Sequence, residues 1–153
     1  MDPLTAATSV AGLLSLAIQV SNMLCNQIRA FKNAPKDAED LRDELQRLCQ
    51  VLTSLEAFLK AQALKGQLFK GTSLLVNAIQ GCHDKITAVK PRLEKLVRKQ
   101  GLAQILERGK WCYDHDEHQD LVASLHRYLG IFQMSLNVDG MLGALSFSSS
   151  LMF

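Results

Sequence analysis

The chain has 153 residues, 48% of them hydrophobic and 21% charged, with a formal net charge of +2. That is one domain with enough apolar material for a core, which excludes wholesale disorder and a two-domain chain. The small net charge excludes a dedicated nucleic-acid binder, and four cysteines are too sparse for a disulfide framework.

Leu, Ala, Gln, Lys and Glu dominate and aromatics stand at 6%, a mix that favours helix over sheet. Asp2 and Pro3 open the first helix, with a side-chain oxygen at the cap and proline at the first helical position. One apolar stripe reads Val10, Leu14, Ala17, Ser21, Leu24, Ile28, Phe31. A second, Leu13, Leu16, Val20, Met23, widens it. Ala7, Ala11 and Ser15 form a small-residue ridge, and Thr8 with Gly12 forms another; such ridges let helices approach closely.

From Pro3 to Ile28 no residue is charged. That span is about 39 Å long as a helix, enough to cross a bilayer. It is not a secretory signal, because no Lys or Arg precedes Arg29. Its Thr, Ser, Gln and Asn residues make it a poor constitutive span. The resting state expected is a buried helix of a soluble bundle. A helix apolar nearly all round is either deeply buried or membrane-seeking, and the two can apply at different times.

The residues Asn33, Ala34 and Pro35 break the helix, and Pro35 starts a second. Its row is Leu41, Leu45, Leu48, Leu52, Leu55, Leu59, with acidic Asp37, Glu39 and Asp40 in its first turns and an expected outer pair of Asp43 with Arg47. It ends near Lys65 and Gly66. Thr72 or Ser73 caps a third helix with the row Leu75, Ile79, Cys82, Ile86, Val89, Leu93, Leu96; Pro91 inside it predicts a kink. Gly101 is expected to end it. Residues 102–111 read as a short extra helix, and a last helix starts at Asp114 or Asp116 with Leu121, Leu125, Tyr128 or Leu129, Phe132 and Leu136 inward.

The fold class expected is therefore all-α: a four-helix bundle over residues 1–140, with a kinked third helix and a short extra helix before the last. Residues 141–153, Gly/Ser-rich and uncharged, read as a flexible tail or truncated linker. The first two helices should pack antiparallel and the first should be the most enclosed. The predicted core holds Leu14, Leu24, Ile28, Leu45, Leu48, Leu52, Leu55, Ile79, Ile86, Leu125 and Phe132.

No enzyme motif is present: no phosphate loop, nucleophile elbow or zinc-protease helix, so no catalytic residue and no cofactor is assigned. Cys112, His115 and His118 share one helix face, a pattern zinc accepts, but matched Cys/His pairs are missing. They read instead as a polar helix start with two exposed histidines, and no metal is assigned. The cysteines read as small apolar core residues in a reducing, intracellular compartment.

Charge is unevenly placed. Residues 85–110 hold Lys85, Lys90, Arg92, Lys95, Arg98, Lys99, Arg108 and Lys110 against only Glu94 and Glu107. Such a strip can contact anionic lipid headgroups, dock the acidic second helix, or stay solvated. Nucleic acid is disfavoured because few aromatics accompany it.

The opening from Met1 to Leu16, the stretch Phe31 to Asp37 with the Leu41 to Leu59 row, and the Trp111 region with the final helix together resemble the N-terminal domains of fungal STAND proteins, the NOD-like receptors. These are similar to the HeLo-like group of helical cell-death domains. The resemblance covers about residues 1–140. It implies a cell-death or heterokaryon-incompatibility effector that is cytoplasmic, self-associates, and is recruited to the plasma membrane on activation. The inserting element carried over is Leu4 to about Val20, with Leu4, Val10, Gly12, Leu13, Leu14, Leu16, Ile18 and Val20 entering lipid. Lys85, Lys90, Arg92, Lys95, Arg98 and Lys99 would meet anionic lipid or a partner. A NACHT or NB-ARC domain in a longer chain is the implied neighbour, although this sequence holds no nucleotide-binding domain and no recognisable amyloid-type motif. The alternative is a protein–protein interaction or oligomerisation module with no membrane activity.

Overall fold

In the computed structural model, the backbone is described for residues 2–30, 35–66, 73–103 and 111–151, and the side chains for these except residues 73, 97–103 and 138–151. Four helices follow in order: α1 (Pro3–Ala30), α2 (Lys36–Leu64), α3 (Ser73–Ala103) and α4 (His115–Leu151). The chain is an all-α bundle, as its composition predicts.

The helix ends follow their capping chemistry. Asp2 Oδ1 accepts the Thr5 backbone N–H at 2.8 Å, and Asp2 Oδ2 accepts the Thr5 hydroxyl at 2.8 Å. These bonds, the backbone one first, hold the Asp2 carboxyl below its usual range. Asp114 does the same for α4, accepting the Glu117 N–H at 2.8 Å, and its pKa is likewise lowered. Pro35 is the residue before α2 rather than its first, with φ −59° and ψ 143°, and its carbonyl accepts from Ala38. α2 stops where Gly66 takes φ +66°, a conformation that glycine adopts without strain.

α1 packs on α2 and α3, and α4 packs on the same two helices. Among the described residues α1 does not pack on α4, nor α2 on α3, so these pairs lie on the diagonals of a four-membered ring. The five residues between α1 and α2 make that pair antiparallel, and Gln46 Nε2 lies 4.0 Å from Cys25 Sγ across their seam.

The core is the predicted one. All six leucines of the α2 row are fully buried, as are Leu24, Ile86, Leu125 and Phe132. Ile28 is only partly buried and packs on the core edge. Cys82 is buried in the α3 row, which supports its reading as an apolar core residue.

Several expectations are corrected. α3 runs past its expected end at Gly101 to Ala103, and Pro91 lies inside it. α4 continues helical to Leu151, through residues expected to form the tail. One expectation holds within this set: α1 is more enclosed than α2, with 11 of its 28 residues buried against 8 of 29. Arg47 pairs with Glu44 at 2.7 Å, one residue nearer than Asp43, and Asp43 pairs with Arg42 at 3.2 Å. Phe31, the Asn33–Ala34 break, the Thr72 cap and most of the short extra helix lie outside the described residues.

Candidate functional site

α1 is the only helix among the described residues that is long and apolar enough to cross a membrane. Its most apolar stretch is 39% buried, which leaves an outer face open as on the other helices of the ring. The eight residues expected to enter lipid divide by face. Val10, Leu13, Leu14 and Val20 lie in the core, and Leu16 packs on its edge. Leu4 is 63% exposed, Ile18 is 44% exposed, and Gly12 faces outward.

The small-residue ridges do not draw helices together on that outer face. A Cβ added at Gly12 meets nothing within 4 Å. Thr8 and Ser15 are exposed, while Ala7 is buried. The glycine that does lie close to a neighbour is Gly81, where a Cβ would fall 2.5 Å from Tyr128 Oη of α4. No spacing pattern in α3 alone could reveal that contact.

The outer face of α1 is distinctive in its charge. Leu4, Thr5, Thr8, Gly12, Ser15, Ile18, Gln19, Asn22 and Asn26 are exposed and uncharged, and the first charge along this helix is the exposed Arg29 in its last turn. The outer faces of the other helices carry exposed ions, such as Lys36, Glu39 and Lys60 on α2, Asp84 and Lys85 on α3, and Asp116 and Arg127 on α4. An exposed surface that long and charge-free is a poor solubility surface and a good one for contact.

The basic strip is shorter than expected. Lys85 and Lys95 are exposed and Lys90 is half-buried. None of the three forms an ion pair among the described residues. Arg92 is committed elsewhere. Its Nη1 donates to the Cys112 carbonyl at 3.1 Å and to the Glu117 carboxylate, and its guanidinium lies 4.4 Å from the centre of the Tyr113 ring. The Glu117 bond raises the Arg92 pKa further. This pins the segment before α4 onto α3. Among the described residues the strip does not dock on the acidic second helix, because α2 and α3 are diagonal in the ring. Arg98 and Lys99 lie on α3, and their side chains are outside the description.

Sequence reasoning missed two polar groups inside the α2/α4 seam. Glu44, 3% exposed, sits on the apolar side of α2, where Arg47 donates to it at 2.7 Å and His126 Nδ1 lies 3.1 Å away. His118, expected to be exposed, is 4% exposed and faces Asp37 of α2; His115 is exposed as expected. Period alone puts both residues on helix faces but not against a partner. Cys112 stands apart from the histidine group as a desolvated thiol, its pKa pushed up to about 11 by burial. Burial also raises Tyr113 to about 12.

Residues 1–136 match the family described as pigment biosynthesis cluster protein PigL N-terminal. The chain belongs to this family. Its span takes in α1, α2, α3 and the greater part of α4, so the PigL N-terminal unit is the helical bundle itself. A relative is the azaphilone pigments biosynthesis cluster protein L of Monascus ruber, 29% identical over 103 residues. That match covers 67% of this chain and 22% of the relative, so the chain spans a small part of the curated protein it resembles. No solved structure matches. The fungal character read from the opening residues agrees with this family; the narrower STAND and HeLo-like assignment is not part of the match.

Proposed function

We propose that this domain is a non-enzymatic effector or signalling module that acts through α1. In this reading the bundle is the cytoplasmic resting state. Self-association, driven by a neighbour such as a NACHT or NB-ARC domain of a STAND-type protein, frees α1 to target anionic lipid at the plasma membrane. The observation that carries the reading is that α1 has no charge from Pro3 to Ile28 and is held by two helices only. Withdrawal therefore uncovers Val10, Leu13, Leu14 and Val20 without dragging an ion into lipid. Lys85, Lys90 and Lys95 supply basic groups for headgroups. The printed name of the Monascus ruber relative ties that protein to an azaphilone pigment cluster. For this chain we carry over an accessory place beside such a cluster, without a catalytic step.

A specific observation favours a second reading. The exposed face of α1 is polar as well as uncharged, with Thr5, Thr8, Ser15, Gln19 and Asn22, which suits docking of another protein while the bundle stays closed. A crosslink separates the two. Gln46 faces the native Cys25 thiol across the α1/α2 seam, so Gln46→Cys with mild oxidation should tie the helices together. Dye release from anionic vesicles is measured with the domain oligomerised through a fused tag. The effector reading expects leakage from the reduced form, none from the crosslinked form, and none after deletion of residues 1–20. Equal behaviour of crosslinked and reduced protein, or intact vesicles throughout with a stable oligomer, would replace it by the interaction module.

A further inference from the structure

The seam between α2 and α4 brings together two helix starts. Asp37 and Asp40 are three residues apart in the first turns of α2 and share a face. His115 and His118 are three apart in the first turn of α4 and share a face. Packing of α2 on α4 sets these faces against each other. One donor atom from each of Asp37, Asp40 and His118 can be chosen so that all three lie within 4.8 Å of one another.

We propose that Asp37, Asp40 and His118 form a divalent transition-metal site of the zinc type, with His115 beside it as a fourth donor. Four observations carry this. First, His118 is a buried imidazole whose Nε2 faces the Asp37 carboxylate in a loose ion-pair contact and whose ring makes no hydrogen bond among the described residues. Its ring is 4% exposed, and Nδ1 has no hydrogen-bond partner. Its Nε2 stands 3.7 Å from Asp37 Oδ1, too far for a hydrogen bond. A buried polar ring left in that state is rare in native proteins and calls for an explanation. Second, the 3.7 Å gap suits two donors on one ion, since bonds of about 2.1 Å at a tetrahedral angle place donors about 3.4 Å apart.

Third, the acids are free to ligate. Neither Asp37 nor Asp40 has a Lys or Arg partner among the described residues, and Asp37 meets only His115 at 3.9 Å and His118. The neighbouring acids are already engaged, Asp114 as the α4 cap and Glu117 with Arg92. Fourth, the same seam shows what a closed acid–histidine contact looks like. Two turns along α2, Glu44 meets His126 at 3.1 Å and Arg47 at 2.7 Å. The Asp37–His118 contact is held open by comparison. The donor set decides the metal class: an imidazole nitrogen with carboxylate oxygens suits zinc and its neighbours better than calcium or magnesium, which prefer oxygen alone. His115 is exposed and lies 3.9 Å from the other oxygen of Asp37, close enough for a rotamer change to complete four ligands. A metal there would clamp the start of α2 to the start of α4, beside the point where the chain arrives from α1.

The test uses the whole chain stripped with a chelator, then titrated with zinc by calorimetry and with cobalt(II) by visible absorbance. The expected result is one metal per chain, a raised Tm, and cobalt bands of four-coordinate nitrogen–oxygen type. Asp40→Asn removes an exposed ligand without disturbing the core and should weaken binding at least about tenfold. His118→Gln should abolish the bands, and circular dichroism reports whether that variant folds. Absence of binding at about 100 µM zinc overturns the proposal, leaving Asp37 and His118 as an ion pair only. Unchanged affinity in Asp40→Asn overturns it too, as does binding that vanishes only when thiols are blocked.

Discussion

Leu24 offers a direct way to ask whether release of α1 is the functional step. It lies on α1 and is fully buried against the rest of the bundle. Leu24→Ala removes its packing and leaves a cavity, which costs about 3 kcal/mol within the usual range of about 2–5 kcal/mol. If that loss falls on the docked state of α1 alone, the population of the released state rises about 100-fold, since about 1.4 kcal/mol is a factor of ten. The control is Leu125→Ala, equally buried but on α4, which does not pack on α1. The two variants are matched in global stability by urea unfolding and compared in the initial rate of dye release from anionic vesicles. The reasoning expects a large acceleration for Leu24→Ala and a small one for Leu125→Ala. Equal acceleration would refute it, because leakage would then follow global unfolding. No acceleration in Leu24→Ala, despite its lower stability, would refute it as well.

Two further outcomes follow from the side-chain geometry. Arg92→Gln loses the Glu117 pair, the Cys112 carbonyl bond and the Tyr113 stacking; because Arg92 and Glu117 are 44% and 43% exposed, the loss is about 1 kcal/mol and shrinks in high salt, as urea unfolding at two salt concentrations would record. Burial raises the Cys82 thiol to about 12 and Cys112 to about 11, so at pH 8 both stay protonated; a thiol count with a chromogenic disulfide should leave Cys82 unreacted in native protein and recover four thiols on denaturation.

The bundle was legible because its rows are regular. The α2 leucines recur at three and four residues, and every one of them is buried, since a helix with a single apolar stripe has only one way to face a core. Asp2 with Pro3, Asp114 and Gly66 marked helix ends because caps are local chemistry, satisfied within three or four residues of chain. The boundary at Gly101 was misplaced for the converse reason: a glycine lowers helix propensity by about 1 kcal/mol, a local penalty that need not stop a helix. The candidate site was less legible. The two stripes of α1 did mark its inward face, since Val10, Leu13, Leu14, Ala17, Val20 and Leu24 are buried while Leu4 and Ile18, outside both stripes, face out. The set of residues expected to enter lipid mixed the two faces.

By itself the sequence determined the all-α class, the core rows, the caps and the charge-free first helix, because each of these depends on residues within a few turns of one another. The tertiary structure decided what depends on which helices are neighbours. Placing α2 diagonal to α3 separated the basic strip from the acidic helix. Placing α4 beside α2 buried Glu44 under Arg47 and His126, and set His118 against Asp37 and Asp40. Those groups lie about 80 residues apart in the chain, and no local pattern of charge or period encodes a meeting over that distance; only the ring order of the helices brings them to one place.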